Sequence, residues 1–148
     1  MRRLLLLVMA SFFIITGCQE KQYPPASMKQ IQQKNQEMIS IDLNEMKEAK
    51  KIAQQNKRVD QATAVTFDHE LFVALEVSNF NRFFLRSTRS KVHKSLRKHF
   101  PDKEVHVTTD SKLFDELSKI EKQIEQQPLQ PKKVLEKRLK KINKDMKG

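Results

Sequence analysis

Glycine is nearly absent from this chain. The only two in 148 residues are Gly17 and Gly148, which excludes a glycine-rich loop wrapped around a phosphate and a serine held in a Gly-flanked nucleophile elbow. Cysteine is as scarce. Cys18 stands alone, so no intramolecular disulfide can form, and a lone thiol in an exported chain needs a chemical explanation. Long apolar runs are missing too: the longest, Leu4 to Ile15, is broken by Ser11 and falls short of the ~20 residues that a membrane-spanning helix needs. The four histidines, His69, His93, His99 and His106, show neither the i, i+4 nor the short Cys/His spacing of local metal sites, so no metal is expected. Asp68-His69-Glu70 is the one tight acid-base cluster, and an exposed turn explains it more simply than catalysis does.

What is present is positive charge. Lys plus Arg total 29 against 18 Asp plus Glu, a net charge of +11, and the balance stays basic without Arg2 and Arg3. Such a chain favours anionic partners: phospholipid head groups, wall polymers or nucleic acid, the last excluded for a protein that leaves the cytoplasm. With 38% hydrophobic residues, there is material for one small domain.

The first residues follow the grammar of an export signal: Arg2-Arg3, then the apolar run, then Thr16-Gly17 before Cys18. Ile15-Thr16-Gly17-Cys18 resembles the lipobox of bacterial lipoproteins. The resemblance implies cleavage between Gly17 and Cys18 and a thioether-linked diacylglycerol on Cys18, with no other cofactor. At ~0.8 kcal/mol per buried methylene, two acyl chains hold a protein on its membrane where one does not. A membrane location on the extracytoplasmic face is therefore expected.

Residues 18–42 are Gln-rich with Pro24-Pro25 and are expected to form a tether. Residues 43–127 are expected to form the domain. A helix is expected from Leu43 to Asn56, then strands Val59 to Phe67 and Leu71 to Val77 around an Asp68-His69-Glu70 turn. In the second strand Leu71, Val73, Leu75 and Val77 are expected to face the core, with Phe72, Ala74 and Glu76 on the other side. A loop with Phe80, Phe83 and Phe84 precedes a helix from Ser87 to His99, stopped by Pro101. A strand Glu104 to Thr108 follows, then a helix capped by Thr109 or Asp110, with Leu113, Leu117, Ile120 and Ile124 on one stripe. After Pro128 and Pro131, residues 128–148 make a basic helix with Leu135, Leu139, Ile142 and Met146 aligned. It is free to pack on the domain, on a second copy or in the head-group plane, or to stay mobile. The order α-β-β-α-β-α plus a C-terminal helix is an α+β class, expected as two layers.

Val59-Asp60-Gln61-Ala62-Thr63-Ala64-Val65, Leu71-Phe72-Val73-Ala74-Leu75-Glu76-Val77, Arg97-Lys98-His99-Phe100-Pro101-Asp102 and Val105-His106-Val107-Thr108-Thr109-Asp110-Ser111 are together similar to the YhcN/YlaJ-type sporulation lipoproteins. The resemblance implies a lipoprotein of the spore membranes, made during sporulation and bearing on germination or outgrowth, with no catalytic residues to carry over. The element order also resembles the small BON modules, which bind lipid surfaces or neighbouring copies.

The strongest charge feature is the stretch between Glu76 and Asp102, which contains no acidic residue but holds Arg82, Arg86, Arg89, Lys91, Lys94, Arg97 and Lys98. On a lipid-anchored chain these residues form a candidate surface for anionic lipid, each worth ~1 kcal/mol near a charged membrane. Phe83 or Phe84 is expected to cap the core, leaving the remaining Phe for a membrane or partner. An envelope protein as partner, a self-assembling structural subunit, and a wall-polymer binder are the competing expectations. The oligomeric state stays open.

Overall fold

The computed structural model describes residues 37–147. The expected leader, the Gly17 to Cys18 cleavage point, the lipidated Cys18 and most of the tether lie outside the described residues. The elements run β1 (Met38–Ser40), α1 (Leu43–Gln54), β2 (Gln61–Phe67), β3 (Glu70–Glu76), a 3-10 helix (Asn79–Phe84), α2 (Leu85–His99), β4 (Glu104–Thr108), α3 (Ser111–Gln126), β5 (Leu129–Pro131) and α4 (Lys132–Lys147). The α+β class is the one expected from the sequence, and so is the element order apart from the two short strands β1 and β5.

Local chemistry sets the starts and turns. Asp42 caps α1 by accepting hydrogen bonds from the backbone N–H groups of Asn44 at 2.7 Å and Glu45 at 3.4 Å. Of the two caps considered for α3, Asp110 is the one used, accepting from Leu113 N–H at 2.9 Å. The β2–β3 hairpin closes through Asp68 and His69, with Phe67 opposite Glu70. Asp68 takes φ 50, a left-handed conformation that Asp tolerates where no glycine is available.

The main sheet has the order β2-β3-β4, with β2 antiparallel and β4 parallel to the central β3. A parallel neighbour requires a crossover, and the 3-10 helix and α2 supply it. Leu71, Val73 and Leu75 of β3 pack with Ala49 and Ala53 of α1 and Val92 and Leu96 of α2. Phe72 and Ala74, read as outward residues, are just as buried, under Leu117, Ile120 and Ile124 of α3 and Leu139 and Ile142 of α4. Helices therefore cover both faces, one layer more than the two-layer arrangement expected. The cause is the unbroken run Leu71-Phe72-Val73-Ala74-Leu75, the mark of a strand buried on both sides.

The domain also reaches further along the chain than 43–127. Met38 pairs with Pro131 and Ser40 with Leu129 in a small antiparallel sheet of β1 and β5. Ile41 N–H donates to Pro128 carbonyl at 3.1 Å, and Lys132 N–H to Glu37 carbonyl at 2.8 Å. The end of the expected tether is thus a strand of the domain. The two prolines do not disconnect the last helix, because Leu135, Leu139 and Ile142 of α4 are buried in the core beside Phe72. Of the placements left open for that helix, the structure has it on its own domain.

Candidate functional site

The Phe-rich connection holds the largest exposed apolar side chains of the domain. Phe80 is 93% and Phe83 96% exposed, and Phe84 44%. The expectation that Phe83 or Phe84 caps the core is corrected: both are exposed, and α2 packs on the core through Val92, Leu96 and the unforeseen Thr88. Phe84 instead lies under the Arg58 guanidinium, 4.2 Å from the ring centroid, a cation-π contact. Nothing in the fold requires Phe80 and Phe83 to be aromatic.

Helix α2 begins on unfavourable terms directly after these rings. Its N-cap is Phe84, which makes no side-chain capping bond, and its first turn has no acidic residue. Arg86 sits in the first turn, where the helix dipole is already positive, and Arg89 follows one turn later. A cap and a matching charge are each worth roughly 0.5–1 kcal/mol to a helix, and α2 forgoes both. Its N-terminal end is consequently a concentrated positive charge beside two exposed phenyl groups. Local rules broken without a structural gain are expected at functional positions.

Of the expected docking residues, Arg86, Arg89, Lys91, Lys94, Arg97 and Lys98 are all exposed on α2, opposite the buried Thr88, Val92 and Leu96. Among the described residues none of these six pairs with a carboxylate. Arg82 belongs to the 3-10 helix. The Lys91, Lys94 and Lys98 side of α2 faces α1 across two adjoining shallow hollows that share Ile52, Gln55 and Ser95. Lys51 of α1 lines the second hollow with Lys98, so the basic surface extends beyond α2. Sequence reasoning missed Lys51 because its helix was read only for its apolar face. His99, the last residue of α2, is exposed and bonds Glu48 at 2.7 Å.

At the other end of β3 lies a second polar group, which the scattered histidines did not announce. Glu70 of β3 and Glu104 and His106 of β4 have donor atoms within 4.8 Å of one another. Glu70 and Glu104 are register partners, so the parallel pairing brings together residues far apart in sequence. Among the described residues this is the group of carboxylate and imidazole side chains spaced closely enough to be a candidate for a metal ion. Asp68 and His69 do make the expected turn, but Glu70 has left it for this cluster.

Among the described residues no helix is long and apolar enough to cross a membrane. No curated protein and no solved structure matches the chain. The family model of the sporulation lipoproteins YhcN/YlaJ matches residues 16–143, which takes in Cys18, both sheets, α1 to α3 and most of α4, and the chain therefore belongs to the YhcN/YlaJ sporulation lipoprotein family.

Proposed function

We propose that this lipoprotein is a non-enzymatic interaction module of the spore envelope. Its export signal is removed before Cys18, a diacylglycerol on Cys18 fixes it to a spore membrane, and its domain docks on the anionic surface of that membrane, in a role bearing on germination or outgrowth. The observation that carries the reading is the nearly complete exposure of Phe80 and Phe83 at the uncapped, positively charged start of α2. An aromatic ring beside Arg suits the head-group boundary, where the ring is buried and the cation stays with lipid phosphates. The lipid sets location. The domain contact sets orientation, turning the α1–α2 side toward the bilayer and leaving the α3–α4 side free.

A chain lacking residues 1–17 and carrying Cys18→Ala tests this without the acyl chains. It floats with vesicles of phosphatidylglycerol and stays behind with vesicles of phosphatidylcholine alone. Indifference to both would overturn direct lipid docking. An envelope protein is the second reading, favoured by the same pair of rings, since an exposed aromatic anchor with neighbouring arginines is also the composition of a protein hot spot. Under that reading the lipid-free chain ignores vesicles, and its Phe80→Ser/Phe83→Ser variant loses the partner recovered from spore membranes by the lipidated protein.

A further inference from the structure

We propose that Glu70, Glu104 and His106 form a binding site for one divalent transition-metal ion of the zinc class, with the side-chain amide of Asn143 as a fourth donor. The spacing supports it first. His106 Nε2 lies 3.1 Å from Glu70 Oε1 and 3.6 Å from Glu104 Oε1. Ligands bound at about 2.0–2.2 Å in a tetrahedral shell sit roughly 3.3–3.6 Å apart, and the two distances bracket that range. The three donor atoms all lie within 4.8 Å of one another, so closing on an ion requires the two carboxylates to draw together.

The cluster is also built in advance. The His106 side chain is 10% exposed, and its ring stacks on Phe72 with centroids 4.8 Å apart and planes 21° from parallel. Phe72 is fully buried and backs the imidazole, whose Nε2 lies near both carboxylates. Glu70 and Glu104 stand opposite one another on neighbouring strands, where like charges repel. A cation between them converts that repulsion into binding.

Asn143 of α4 supplies an independent observation. Its Nδ2 donates to the same Glu70 Oε1 at 3.3 Å, while its Oδ1 is buried without a hydrogen-bond partner. Nitrogen and oxygen of an amide exchange places by a half-turn of the group. That half-turn brings the orphan oxygen to the cluster, where it faces a carboxylate and is favourable only with a cation between them. One imidazole nitrogen with carboxylate and amide oxygens suits an ion of the zinc class better than magnesium or calcium, which take all-oxygen shells. A bound ion would join β3, β4 and α4, and so fasten the last helix to the sheet.

The test uses the full-length lipidated chain in detergent, stripped with a chelator. Zinc chloride is titrated in competition with a chromophoric chelator, cobalt chloride is followed by its visible d–d bands, and thermal unfolding is recorded with and without zinc. Expected are one equivalent bound, cobalt bands of a four- or five-coordinate site, and a higher Tm with zinc. Glu104→Gln alters an exposed side chain and leaves the packing intact. It weakens binding at least about tenfold, the loss that even an outer-shell partner brings, and it removes most of the Tm gain. His106→Gln abolishes both. Absence of stoichiometric binding overturns the site, as does zinc binding of unchanged strength in Glu104→Gln, which would assign the ion to the histidines elsewhere.

Discussion

Thr63 Oγ1 donates a 2.6 Å hydrogen bond to Oε2 of Glu121, a carboxylate on α3 whose side chain is only 7% exposed. The other carboxylate oxygen, Oε1, takes the Lys50 ammonium of α1 at 2.6 Å. One acid thereby links a helix from each side of the sheet through the edge strand between them. A buried ion pair of this kind adds little net stability when complete, because desolvation offsets the attraction, but it is costly to break from one side.

Which partner is removed therefore matters. Lys50→Met leaves the Glu121 carboxylate buried without a counter-charge and is expected to cost about 3 kcal/mol. Glu121→Gln retains an acceptor for Thr63 and leaves Lys50 to Glu125, 3.7 Å away, and to water, so its cost is about 1 kcal/mol. Urea unfolding midpoints of the two variants order them. Equal losses would mean that the ammonium contributes nothing.

Thr88 offers the opposite case. It is fully buried in α2, and its hydroxyl has no hydrogen-bond partner. A buried hydroxyl of this kind pays for desolvation without a return. Thr88→Val keeps the branched shape and is expected to stabilise the domain by about 1 kcal/mol, seen as a higher Tm. A lower Tm would mean that water reaches the hydroxyl.

The elements that sequence reasoning found were those specified by neighbours along the chain. The Leu113, Leu117, Ile120 and Ile124 stripe of α3, its Asp110 cap and the two-residue turn at Asp68 are all local. What it missed depends on distant partners. Nothing about Leu129-Gln130-Pro131 suggests a strand until Met38-Ile39-Ser40 lies beside it. The Glu70–Glu104–His106 group exists only because β4 runs parallel to β3 in one register, which no spacing of histidines reveals. The exposed basic face of α2 was readable because it is a local charge run, and Phe80 was left outside the core as expected, whereas the exposure of Phe83 was not foreseen, because an aromatic residue near a core reads as part of it.

The packing of α4 separates burial from surface charge. Leu139 is 1% exposed in the core cluster, and Leu139→Ala is expected to cost about 3 kcal/mol through lost contacts and a cavity. Glu37, whose exposed carboxylate pairs with Lys132 at 3.1 Å, is expected to matter far less, because solvent and salt screen such pairs. The hydrogen bond and charge of Glu37 hold the Lys132 ammonium above its ordinary value of 10.5. A raised lysine contributes fully below the unfolded value and loses its contribution as pH rises through the folded one. Unfolding midpoints should accordingly be flat for Lys132 between neutrality and pH 9, and Glu37→Gln should barely move them. A Leu139→Ala midpoint equal to that of the unaltered chain would show that α4 does not share the core.

The proposed docking on anionic lipid makes the sharpest prediction, because its two components would respond differently to salt. Charge attraction between α2 and anionic lipid weakens as the Debye length falls from about 10 Å at 0.1 M to about 3 Å at 1 M. Insertion of Phe80 and Phe83 depends on apolar area and does not weaken with salt, and full burial of one phenyl side chain is worth roughly 1.5–3 kcal/mol. With phosphatidylglycerol vesicles, Phe80→Ser/Phe83→Ser in the lipid-free chain should weaken binding by about tenfold or more and leave a residue of binding that high salt abolishes. Arg86→Gln/Arg89→Gln/Arg97→Gln should weaken it at low salt yet leave a part that persists at high salt. Both sets of side chains are exposed, so urea midpoints should stay unchanged and the losses belong to the surface. Two variants with the same salt dependence would mean that the rings do not enter the lipid, and that the positive end of α2 acts alone.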